Sequence, residues 1–151
     1  NIELVTKHGI FTEAEFRARH EIHLEAYCKL MRIEAQTTVD MAMRQILPAV
    51  SKYCGDLCAR ADLKQRLFVT RVAELDLITR LSEGIDQLYS ACEDLKKALQ
   101  DVPTDSMQGT DYYHSIITPA MAKVRSLADS LELLTDKTYW PFPTYADILF
   151  Y

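Results

Sequence analysis

Two histidines three residues apart, His20 and His23, stand beside Glu21 and Glu25 and are the first candidates for chemistry. On a helix they would offer a metal two imidazoles. Di-metal sites in helical bundles, however, draw Glu-x-x-His from two helices. No Glu-x-x-His occurs in this chain, the nearest form being Asp111-x-x-His114. The pattern therefore favours both histidines as partly buried spacers on a packing face. A phosphotransfer histidine would be followed shortly by Lys and Gly, whereas His20 runs into Glu21-Ile22-His23 and His114 into Ser115-Ile116-Ile117. Cys54 and Cys58 share a helical face, but no second pair completes a zinc set. With Cys28 and Cys92 they read as reduced, part-buried thiols of a cytoplasmic protein. No glycine-rich phosphate loop is present, and no spacing brings a nucleophile, a base and an orienting group together. The expectation is no catalytic, metal-binding or cofactor-binding residue.

The bulk numbers agree with one soluble domain over 1–151. A net charge of −5, from 17 basic and 22 acidic residues, gives no electrostatic footprint for nucleic acid or an anionic membrane. No apolar run reaches the ~18 residues of a membrane span. Lys7, His8, Glu13 and Glu15 interrupt the N-terminus too early for a secretory signal. The chain opens on Asn1, without an initiator Met, as a cleaved precursor or an excised piece of a larger protein would.

The elements that would position any site are helices. Thr12-Glu13-Ala14-Glu15 is a capping box. Behind it, Phe16, His20, His23, Tyr27 and Leu30 alternate at four and three. A second stretch from Glu34 to Ala61 puts Val39, Met43, Ile46, Val50, Tyr53 and Leu57 on one face, with a kink predicted at Pro48. Ile78, Leu81, Ile85, Leu88, Cys92, Leu95 and Leu99 make a heptad seam in a third helix. Pro103 to Gly109 reads as a loop. A fourth helix, from Asp111 to Lys137, turns Ile117, Met121, Val124, Ala128, Leu131 and Thr135 to one side, and Pro119 either kinks it or marks its start. Val69, Leu77, Tyr89 and Leu133 fall off these seams and imply wider faces or contacts outside the bundle. The fold class is all-α: an antiparallel bundle of about four long helices. A proline/aromatic tail follows. Pro141 and Pro143 bias Trp140 and Phe142 to extended geometry, so the tail should strap a groove between helices with those two rings as anchors. Ile148, Leu149 and Phe150 prolong the apolar strip.

Several strings, taken in order, carry a resemblance. They are Leu24-Glu25-Ala26-Tyr27-Cys28, Ile33-Glu34-Ala35, Asp40-Met41-Ala42, Arg44-Gln45-Ile46-Leu47-Pro48-Ala49-Val50 and the closing Tyr139-Trp140-Pro141-Phe142-Pro143-Thr144-Tyr145-Ala146-Asp147-Ile148-Leu149-Phe150. This series resembles the C-terminal region of type III glutamine synthetases, the large bacterial form of that enzyme. It is densest over 19–53 and 139–150, and between them only the helical character matches. The resemblance implies a parent that joins ammonia to glutamate with ATP and divalent metal and assembles into double-ringed oligomers. The catalytic strands and metal ligands of such enzymes lie upstream, so none is carried over. What remains is a structural, assembly or regulatory role, with the parent's own catalytic domain and neighbouring subunits as partners. Pro48, Trp140, Pro141, Phe142 and Pro143 are its structural anchors. The alternative is a stand-alone helical adaptor that binds a protein through its heptad face or aromatic tail.

Overall fold

The computed structural model describes residues 2–149, and every regular element among them is helical. A short helix α1 (Ile2–Lys7) precedes α2 (Glu13–Met41). The Thr12 hydroxyl accepts the Glu15 amide at 3.3 Å and the Glu15 carboxylate accepts the Thr12 amide at 2.8 Å, the expected capping box. A π turn (Ala42–Ile46) leads without interruption into α3 (Leu47–Arg66). Helix α4 (Val72–Gln100) returns antiparallel, and α5 (Ser106–Tyr112), a second π turn (Tyr113–Ile117) and α6 (Thr118–Glu132) form the third leg.

Consecutive helices thus fuse, and the expected four become three rods running up, down and up. Nothing stops the chain between Met31 and Thr38, where neither Gly nor Pro occurs. At about 1.5 Å per residue the first rod, 13–66, is about 80 Å long. The second rod is little more than half of that, so the start of α2 reaches past its partners. This corrects the reading of the first helix. His20 and His23 are exposed, not packed, because the long partner helices do not extend that far, and Leu30 is exposed because it lies on the outer face of the rod. The rod turns Tyr27, Cys28, Met31, Ala35 and Val39 inward instead.

Both helix-interior prolines resolve alike, and Pro48 produces a π turn where a kink was expected. A proline ring clashes with the carbonyl four residues back. Pro48 and Pro119 each stand second after a π turn, which widens the turn at that carbonyl. The Leu47 amide donates to the Ala42 carbonyl, and the Thr118 amide to the Tyr113 carbonyl. Ala42, Ile46, Tyr113 and Ile117 are buried, so both π turns belong to the core. The loop expected up to Gly109 is shorter: Asp105 caps α5 by accepting the Gln108 amide at 2.9 Å, and Gly109 is buried inside the helix.

Leu81, Leu88, Cys92 and Leu95 from the heptad seam, with Val50, Val124 and Leu131, form the sealed centre. Cross-rod contacts fix the register. Gly84 meets Leu131, Cys54 Sγ lies 3.7 Å from Ser82 Oγ, and Cys28 Sγ lies 3.5 Å from Thr110 Oγ1. No described helix is long and apolar enough to cross a membrane.

Candidate interaction surfaces

No chemistry assembles around the first candidates. His20, His23, His114 and Asp111 are exposed, and among the described residues no three His, Cys, Asp or Glu side chains are grouped to hold a metal. All four cysteines are free. Burial raises the pKa of the Cys92 thiol, and that of Cys58, an exposed residue, is raised by partial desolvation and then by its neighbour Cys54. Neither is poised as a thiolate nucleophile.

The tail differs from the strip expected. The fourth helix ends at Glu132, not Lys137, and turns follow. The Thr135 hydroxyl closes back on the Leu131 carbonyl at 2.7 Å. Asp136 accepts the Thr138 hydroxyl at 2.5 Å and the Thr138 amide at 2.8 Å, and these two bonds, the hydroxyl's first, hold its carboxyl below the usual range. Tyr139 reaches across to α3. Its hydroxyl donates to the Asp56 carboxylate, and its ring lies 5.1 Å from that of Tyr53. Trp140 and Phe142 are half-buried against the core. They flank a groove of about 460 Å³ between the first rod at Met41 and Ile46 and α6 at Val124 and Ala128. Pro141 and Pro143 are exposed, as befits residues that shape the backbone and bury little. Past them the chain is helical again: α7 (Tyr145–Leu149) starts from a second capping box. There Asp147 accepts the Thr144 amide at 2.9 Å and Thr144 accepts the Asp147 amide at 3.4 Å. An ion pair from Lys137, and then these Thr144 bonds, hold the Asp147 carboxyl at about 2. Phe150 lies outside the described residues.

The sequence reading missed the most exposed apolar feature. Helix α3 ends in a Schellman motif: the Val69 amide donates to the Lys64 carbonyl at 2.9 Å and the Phe68 amide to the Gln65 carbonyl at 3.0 Å. The residue that must turn left-handed there is ordinarily glycine. Here it is Phe68, at φ 56°, and its ring is 98% exposed. Leu63, Leu67, Val69, Val72 and Leu75 around it are also exposed. An ion pair between Lys64 and Glu74 ties the two helix ends together beneath them. A second apolar strip, Ile22, Leu30 and Ile33, lies bare on α2. Of the off-seam residues, Val69, Tyr89 and Leu133 are exposed, whereas Leu77 packs on the core.

The described residues form an all-α bundle of long helices with bare apolar ends. Residues 1–65 match the family described as "Glutamine synthetase C-terminal domain". The chain is 31% identical, over 99% of its length, to the glutamine synthetase of Butyrivibrio fibrisolvens. It is 27% identical, again over 99%, to the type-3 glutamine synthetase of Dictyostelium discoideum. With the glutamine synthetase of Bacteroides fragilis it shares 25% identity over 93%. The chain belongs to the glutamine synthetase C-terminal domain family, and type-3 enzymes are among its relatives. It spans 22% of the first two relatives and 20% of the third.

Proposed function

We propose that this domain serves a type III glutamine synthetase as a contact module. It packs against the enzyme's own catalytic part and against neighbouring subunits of a homo-oligomer, and it carries no catalytic residue. The parent, a cytoplasmic enzyme on this reading, would ligate ammonia to glutamate with ATP and divalent metal bound elsewhere in its chain. The observation that supports the reading is the apolar end around Phe68. A left-handed phenylalanine costs about 1–2 kcal/mol relative to ordinary helical geometry. A fully exposed ring recovers none of that in the isolated domain. Contiguous apolar surface of this kind marks an interface. The matched relatives are about five times as long as the chain, and their remaining length supplies the partner.

The test is Phe68→Asp with Val72→Asp in the full-length enzyme. Light scattering behind size exclusion should report a smaller assembly, with ligase activity reduced alongside. An unchanged mass and unchanged activity would overturn the contact role.

A further inference from the structure

Tyr113 is the largest fully buried side chain, 2% exposed, yet no described residue exchanges a hydrogen bond with its hydroxyl. The hydroxyl is not sealed away either, since no buried side-chain N or O atom among the described residues is both enclosed and unpartnered. Tyr113 lines a cavity of about 280 Å³ between α2 and the loop from Val102 to Ser106. The hydroxyl is therefore an accessible donor with no protein acceptor, free to bond a group that fills the cavity.

The charges around the cavity point to the sign of that group. Glu25 is taken by Lys29 at 3.1 Å, and Asp105 by the Gln108 amide at 2.9 Å. About two turns past Arg32 on α2, Asp40 faces Arg44 at 3.5 Å. Across the bundle Lys96 is held by Glu93 at 2.7 Å. Arg32 alone among these has no hydrogen bond or ion pair with a described residue. Its charge reaches the Tyr113 phenol, whose pKa burial raises, so the phenol remains a donor at neutral pH. Arg32 also lines a second cavity of about 530 Å³, beside Gln36, Lys96 and Gln100, and so stands between the two. Together they reach the size range of small-molecule sites, roughly 300–1,000 Å³.

We propose that Arg32 and Tyr113 bind a small oxyanion, the carboxylate or phosphate group of a metabolite, in the cleft between α2 and the α4–α5 connection. The guanidinium fork takes two oxygens of the anion and the phenol donates to one of them. The body of the ligand extends past Arg32 toward the Gln36 and Gln100 amides. The site lies wholly within this chain and does not depend on the assembly role.

Isothermal titration of the chain with inorganic phosphate and with citrate, at low ionic strength, tests it. At least one anion should bind saturably, one per chain. Arg32→Gln and Tyr113→Phe should each weaken it about tenfold, the loss of a charge-assisted hydrogen bond. Phosphate alone, or citrate alone, then tells which group the cleft takes. No saturable heat from either anion overturns the site. So does full binding in Tyr113→Phe, because a surface arginine alone would give that. If Tyr113→Phe melts early, the Arg32 Nε–H resonance of the unaltered chain decides. A shift with the calorimetric midpoint supports the site, and a static resonance overturns it.

Discussion

A methyl group placed on Gly84 would come within 2.6 Å of Leu131 Cδ2 and 3.3 Å of its Cγ. Leu131 is 1% exposed, so its side chain has little room to withdraw. The backbone of α4 approaches α6 only because the residue there lacks a side chain. Gly55, exposed on α3, has nothing within 4 Å of the same imaginary atom. The same substitution should therefore have opposite signs at the two sites. Gly55→Ala should add about 0.5–1 kcal/mol through helix propensity. Gly84→Ala makes the same gain but overpacks the centre by about 1–3 kcal/mol, for a net loss of about 1 kcal/mol. Urea melts followed by circular dichroism compare them directly, and a stabilised Gly84→Ala would refute the close packing.

Trp140 is half-buried at the edge of the tail groove, so its removal should cost less than a full core deletion. Complete burial would put Trp→Ala at about 3–5 kcal/mol, and half of the contact suggests about 2 kcal/mol. Trp140→Ala should lower the urea midpoint accordingly. An unchanged midpoint would show that the tail adds nothing to the bundle.

Acid should release the tail. The Asp147 carboxyl sits at about 2, below its ordinary 3.8, so folding favours the charged form. That stabilisation is complete above about 3.8 and drains away as pH falls toward 2. Trp140 is the only tryptophan and reports the event. Its emission should move to longer wavelength between pH 4 and 2, and Asp147→Asn should show the shift already at pH 7. Coincident titration curves for the two proteins would refute the link.

Alkali should loosen the other end. The bond to Asp56 raises the Tyr139 phenol above its usual 10, so its contribution is whole below that value and lost as pH rises past it. Tyr139→Phe should flatten stability against pH above 10, measured by melts at matched ionic strength.

Phe68→Gly separates folding from association. Glycine suits the left-handed position, so the isolated domain should gain about 1 kcal/mol. Assembly of the longer enzyme should weaken through the lost ring. A loss of stability in the thermal melt of the isolated domain would contradict the backbone reading at Phe68.

The parts of the fold written in local periodicity were readable. Leu81, Leu88, Cys92 and Leu95 are buried as their heptad spacing requires, and Val124, Ala128 and Leu131 follow their stripe. Thr12 caps where its partner Glu15 predicted. What failed depended on distant neighbours. The Phe16–Leu30 stripe has helical spacing, but no second helix lies opposite most of it, and spacing cannot reveal an absent partner. Phe68 stands where only backbone geometry demands glycine, so its residue type concealed the turn. Arg32 and Tyr113 are far apart in the chain, and their shared cleft exists only once the third rod lies against the first. Pro48 and Pro119 were visible as disturbances, but the form of the accommodation was set by the packed turns before them.

Those two π turns carry a consequence for how the chain can change length. Each holds a bond from residue i to i−5, one residue more than an α-helical turn. Deleting one residue from 42–46 would convert that bond to i−4 and leave α3 facing nearly as it does now, with Pro48 set against the carbonyl four residues back. Deleting one from the plain helix of α2 would instead rotate all of α3 by about 100°. Val50, Cys54 and Leu57 would then face water while Tyr139 lost Asp56. Elsewhere on an exposed helix face, single residues can be exchanged freely. Along the plain helical stretches the count itself is under constraint, and the two π turns are the places where the rods can lose a residue with little shift in phase.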